Sequence, residues 1–387
     1  MLNLRKSIIH VSFLVFSAAA VSCSGGSPQA PENRYKNADT IVSYAKRLHI
    51  ERSEEYSQIS VINPWQGAEG VLHTWHLVPA GKALPDTLDP GKVIRVPVRK
   101  VICMSTTHTA MISALGETAS VCGFSGTGFL YDTVLRANVD KGLIHDVGYE
   151  DNLNKELILK LDPDLVIVYG VGSESSGYIG KLREMGIRIL FNADYLEEDP
   201  LGKAEWIKLF GSLFSKEEMA DSIFRYTEEQ YINLRNFISG NSETRPEVML
   251  GLPFRDTWYV SPGNSYISAL INDAGGNYLW SGTVSQFSMP MGIESVYTRA
   301  LSADYWLNSG TAASLQDIET IDPRLAQLPC FKNGNVFNND RRFKSSGGND
   351  YWESGTVYPH LLLRDIASIF HPELFPEKEY MFYRKLN

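Results

Sequence analysis

The stretch Leu201–Gly240, LGKAEWIKLFGSLFSKEEMADSIFRYTEEQYINLRNFISG, decides how the chain is read. Its apolar residues recur at helical spacing. Trp206, Leu209, Phe210, Leu213 and Phe214 fall at offsets 0, 3, 4, 7 and 8. Ser215 and Glu218 have the spacing of a capping box opening a second helix. Ala220, Ile223, Phe224, Tyr231, Leu234 and Ile238 then draw one apolar stripe, and Gly240 supplies a stop. At about 1.5 Å per residue, residues 216–239 would span roughly 36 Å, the breadth of a small domain. A helix of that length with a single stripe can act as a strut between two lobes.

On both sides of the strut, strands alternate with helices. Before it, Arg99–Met104, Ser120–Phe124, Asp164–Tyr169 and Ile187–Phe191 are apolar runs of strand length. Helical stretches at Thr107–Leu115, Asn152–Leu161 and Ser176–Met185 lie between them. After Pro246 come strands at Glu247–Leu252, Ala303–Leu307 and Asn335–Asn338. Helices are expected there at Ser265–Ala274, Glu294–Leu301, Leu315–Ile321 and Val357–Phe370. Alternation of this kind implies a parallel sheet covered by helices on both faces. The expected fold class is therefore α/β: two lobes, each with a central, mostly parallel sheet flanked by helices, joined by one long backbone helix. The lobes are placed at 37–200 and 241–387, with the linking helix at 201–240. Residues 40–98 are strand-rich, with turns at Asn63-Pro64, Pro79, Pro85 and Asp89-Pro90-Gly91, and their role is open.

The N-terminus reads as a processed segment. Arg5 and Lys6 precede the short apolar run Ser7–Val21, which is too brief to span a membrane. The run ends in Ala20-Val21-Ser22-Cys23, so residues 1–22 fit a lipoprotein signal peptide and Cys23 is the expected lipidation site. Residues 23–36, rich in Ser, Gly and Pro, form the tether, and the protein is expected to touch the membrane through its lipid alone. Cys103, Cys122 and Cys330 are too few for a disulfide framework. The first two read as small buried hydrophobes in neighbouring strands. With 36 basic and 45 acidic residues, the net charge of −9 argues against a nucleic-acid partner.

Three segments resemble the class III, helical-backbone periplasmic substrate-binding proteins of ABC transporters, in the branch serving ferric siderophores, cobalamin and haem. Asn152–Glu156 followed by Leu161-Asp162-Pro163-Asp164-Leu165-Val166-Ile167 is similar to a helix–strand signature of that family. Gly292–Val296 followed by Ala303–Leu307 looks like its echo in the second lobe. Pro200–Trp206, entering the long helix, resembles the iron-complex branch. The resemblance covers roughly residues 97–387. It implies a periplasmic, lipid-anchored monomer that traps a solute between two stiff lobes, with little hinge motion. The solute would be a small-molecule metal chelate, a ferric siderophore or alternatively cobalamin or haem. The partners would be an ABC permease and, through it, an ATPase. The resemblance also implies that Glu156 and Glu294, each in the first turn of a helix and one in each lobe, dock on permease arginines. Carboxylates favour that position in any helix, because of the macrodipole.

Ligand contacts are expected from loops at strand C-termini. In the first lobe these offer His108, Phe129, Tyr131 and Tyr178. In the second they offer Arg255, Trp258, Tyr259, Arg341, Arg342, Tyr351 and Trp352. Guanidinium forks suit the oxygens of an anionic siderophore, and aromatic faces suit catecholate rings or a macrocycle. His108 could ligate a metal or only bond locally, and Asp340-Arg341-Arg342 could instead be a self-neutralising turn. His73 and His76, three apart in a strand, face opposite ways, so no multi-histidine metal site is expected. Neither a catalytic nor a resident cofactor site is expected. Gly123-Phe124-Ser125-Gly126-Thr127-Gly128 lacks the order of a dinucleotide loop, and no G-x-S-x-G elbow occurs. An enzyme on a two-lobe scaffold is the remote alternative.

Overall fold

The computed structural model describes residues 41–149, 152–170, 177–377 and 379–387. The expected signal peptide, tether and Cys23 lie outside them. In the first lobe a five-stranded parallel sheet runs His145–Asp146, Val121–Phe124, Val101–Cys103, Leu165–Val168, Ile189–Phe191. The second lobe has the order Asn277–Tyr278, Glu247–Leu250, Tyr305–Leu307, Val336–Asn338, Arg384–Lys385, parallel except for the last strand. The central strands VIC and LVIV and the edge strand ILF are buried throughout, as a sheet covered on both faces requires.

The strut is the helix Glu217–Asn241. Its buried residues Ala220, Phe224, Thr227, Tyr231 and Ile238 form one stripe. Ala220 and Phe224 belong to the first lobe's core, Tyr231 and Ile238 to the second's, so one helix is shared by both. The Ser215–Glu218 capping box does not form. Ser215 is left-handed (φ 54°) and terminates the helix Ile207–Phe214, while Lys216 precedes the long helix without a side-chain cap. The tight corner follows from Gly211, where an added Cβ would stand 2.6 Å from the Ala220 Cβ. Ahead of it the expected single helix is divided into Pro200–Glu205 and Ile207–Phe214. Every residue of both is buried, which makes them core rather than amphipathic.

The strand-rich segment is an integral part of the first lobe. Leu48–Arg52, Ser57–Ile62, Leu72–Pro79 and Val93–Val96 form a four-stranded sheet whose Leu48, Ile50, Ile59 and Val61 join that lobe's core. A strap at residues 41–47 leads into it. Five successive backbone N–H groups of the strap end on two buried carboxylates. Glu205 accepts from Ser43, Tyr44 and Ala45, and Glu197 from Lys46 and Arg47. Cys103, Cys122 and Cys330 are free thiols.

Candidate ligand-binding cleft

The C-terminal ends of both parallel sheets open on one cleft of about 600 Å³. This is where open α/β sheets place their ligands. The first lobe contributes Ser105–Thr107, after the strand Val101–Cys103, and Tyr195–Glu198, after Ile189–Phe191. The second contributes Gly251 and Asn308, each directly after a strand, Tyr351 and Trp352 from the long loop between Val336–Asn338 and the next helix, with Tyr259 and the 285–288 loop.

Among the described residues, polar contacts cross between the lobes in two places. In one, Asn264 Nδ2 donates to Glu198 Oε1 (2.7 Å) and the Gly67 N–H to Gln286 Oε1 (3.1 Å). In the other, the Glu353 carboxylate accepts the backbone N–H groups of Tyr131 and Asp132, and Lys344 Nζ donates to the Tyr131 carbonyl.

Of the expected ligand residues, Tyr259, Tyr351 and Trp352 line the cleft. Tyr259 and Trp352 are half-exposed, and the Trp352 ring meets Tyr351 edge-on at 4.7 Å. Several others do not reach it. His108 is wholly buried with its ring 6.4 Å from Phe210, and burial pushes its pKa down to about 3, so it is neutral. One turn of helix carries Thr106 and Thr107 to the cleft and turns His108 into the core. Trp258 alternates with Tyr259 along the strand Thr257–Val260 and points inward. It is fully buried, donates to the Leu250 carbonyl (2.9 Å) and lies 5.8 Å from Trp306. Arg255 sits at an exposed hairpin tip in the left-handed region (φ 56°), its guanidinium 5.3 Å from the Phe254 ring.

The arginine cluster is dispersed. Arg342 pairs with Asp350 (2.7 Å) and lies over the Tyr131 ring, beside a separate hollow of about 450 Å³. Arg341 is exposed and absent from the cleft wall. Asp340 is taken by Arg384 in a two-pronged pair (2.7 Å each), so the turn is not self-neutralising. Phe129, half-exposed, has its ring 6.5 Å from that of Tyr149, tilted by 56°, and packs against Gly347 of the other lobe. The Tyr178 side chain lies outside the described residues.

Glu156 is exposed in the first turn of Lys155–Leu161, and Glu294 in that of Ile293–Ala300. The Glu294 carboxyl is held below its usual range, first by its own backbone N–H and then by Arg324 at 3.3 Å.

Sequence reasoning missed several wall residues. Arg47 and Gln66 come from the segment 41–98, whose position nothing local announces. Lys203, in the first turn of the helix Pro200–Glu205, carries no local signal of a site. Its Nζ lies 3.9 Å from Asp194 Oδ2 and 5.1 Å from the centre of the Tyr266 ring. Asp194 is itself buried, which raises its pKa, with Lys203 opposing the rise.

Two α/β lobes bridged by one helix and facing each other across a solvent-accessible cleft define a solute-binding protein. The chain belongs to the periplasmic binding protein family, whose model matches residues 101–342. An uncharacterized lipoprotein of Methanocaldococcus jannaschii is 28% identical, over 91% of this chain and 87% of its own length. A periplasmic heme binding protein from Pseudomonas aeruginosa superposes with a TM-score of 0.56 at 16% identity, covering 75% of this chain and 98% of the other. An ABC-type Fe3+-hydroxamate transport protein from Saccharomonospora viridis gives 0.54 at 17% identity, covering 71% and 93%. These likenesses place the fold in the class III group.

Proposed function

We propose that this chain is the lipid-anchored, ligand-capturing component of an ABC importer for an iron chelate of the siderophore type. The observation that carries the reading is the cleft itself. It lies between two lobes that share one rigid helix, and its volume falls in the range that holds a small organic ligand. Tyr259 and Trp352 offer aromatic faces, and serine, threonine and amide groups offer hydrogen bonds. Glu156 and Glu294 present one exposed carboxylate per lobe to a permease, and Cys23 carries the lipid. On this reading the protein binds its ligand without turning it over.

Cobalamin capture is the second reading, favoured by a wall with more aromatic than basic side chains. Its bulk counts against it in a cleft of about 600 Å³. The test is the absorption spectrum of the protein after purification and after titration with ferric chelates, haem and cyanocobalamin. A saturable ferric band at one equivalent supports the iron-chelate reading, a corrin band the second, and no saturable change with any probe removes both.

A further inference from the structure

The ionisable wall of the cleft is balanced. Arg47 and Lys203 are its basic side chains and Glu197 and Glu198 its acidic ones, so 2 − 2 = 0 among the described residues. Each is already engaged by the protein. Glu197 is 3% exposed and takes the N–H groups of Lys46 and Arg47 and the indole of Trp206. Glu198 takes Lys46 Nζ (3.1 Å) and Asn264 Nδ2 (2.7 Å). Arg47 Nη1 donates to the Asn63 carbonyl at 2.6 Å, and Lys203 faces Asp194 and the Tyr266 ring. The three arginines that could have supplied surplus positive charge stand elsewhere: Arg342 on Asp350, Arg255 at a hairpin tip, Arg341 off the wall. Residues 171–176 lie outside the described ones and contain Glu174 but no Lys or Arg, so they hold no reserve of positive charge.

We propose that this cleft selects an electroneutral metal chelate and discriminates against polyanionic ones such as ferric tricatecholates. The inference rests on the carrier reading above and narrows its ligand class. A polyanion entering a charge-balanced wall loses hydration that no net positive charge restores. A neutral chelate loses far less. Its carbonyl and hydroxamate oxygens can accept from wall hydroxyls such as Ser261 and Ser288, while its organic shell packs on Tyr259, Phe287 and Trp352. Selection by unfavourable desolvation works without any dedicated contact.

The test is a titration of the full-length, detergent-solubilised protein with four probes, read by tryptophan quenching. They are ferrichrome (a neutral ferric trihydroxamate), ferric enterobactin (trianionic), haem (two anionic propionates) and cyanocobalamin (neutral overall). One of the two neutral probes is expected to bind at least about tenfold more tightly than either anionic one. Its affinity is expected to change little with ionic strength, and Ser288→Arg should narrow the gap by drawing in the trianion. Equal or tighter binding of enterobactin or haem overturns the inference and leaves the carrier reading standing. So does a gap that neither salt nor Ser288→Arg alters. Saturable binding by none of the four overturns the carrier reading, and the inference with it.

Discussion

The Glu353 carboxylate accepts the backbone N–H of Asp132 at 2.9 Å across the boundary between the lobes, and the same side chain also takes the N–H of Tyr131. Burial raises this carboxyl from 4.5 to about 7. The two N–H groups oppose the rise, and Asp350 and Asp132 add to it. Between those values the folded chain keeps a proton that the unfolded chain has released. Stability from this group is therefore complete below about pH 4.5 and is lost as pH rises through about 7. The thermal midpoint of the wild type relative to Glu353→Gln is expected to fall steadily across that window. A difference that stays flat or grows with pH contradicts the assignment.

Trp258 and Tyr259 are adjacent in one strand and face opposite ways. Trp258→Ala should cost about 3–5 kcal/mol of stability, the usual penalty for emptying a buried aromatic site. Tyr259→Ala should move stability by no more than about 0.5 kcal/mol, as for most surface changes, and instead weaken ligand binding. Denaturant unfolding and ligand titration on both variants separate the two roles, and a large stability loss at Tyr259 would count against the alternation.

Glu205 is fully buried and binds three strap N–H groups as well as Lys208 Nζ at 2.7 Å. Glu205→Ala strands the Lys208 charge and should destabilise the protein by about 3–5 kcal/mol, as loss of one partner in a buried pair does. It should also expose the 41–47 strap to proteolysis before the rest of the chain. Resistance equal to the wild type would mean that the strap is held by other contacts.

For docking, Glu156→Ala combined with Glu294→Ala should abolish transporter stimulation in reconstituted membranes while ligand affinity stays within about twofold, since neither side chain lines the cleft. Undiminished stimulation by the double variant removes both residues from the docking surface.

The two-lobe α/β plan was legible because buried strands such as LVIV and YWL announce themselves through uninterrupted apolar runs. The strut was legible because its stripe persists from Ala220 to Ile238 of a 25-residue helix. The site was less so. An alternating strand tells that Trp258 and Tyr259 differ in facing but not which one faces the core. That depends on Leu250 and Trp306, both distant in sequence. Arg342 lies in a cleft-forming loop by sequence, yet Asp350 and Tyr131 draw it away. Arg47 reaches the cleft on a strap that Glu197 and Glu205 hold, and its bond to Glu197 is a pairing across 150 residues that no local pattern encodes.

The central claim is that the ligand sits between the lobes against Tyr259 and Trp352. Calorimetric titration of the wild type and of Tyr259→Ala with Trp352→Ala, using whichever chelate the spectrum identifies, tests it most directly. The account predicts one site per wild-type chain and at least about a tenfold loss of affinity in the double variant, the scale of removing two aromatic contacts. Unchanged affinity in a correctly folded double variant would contradict it.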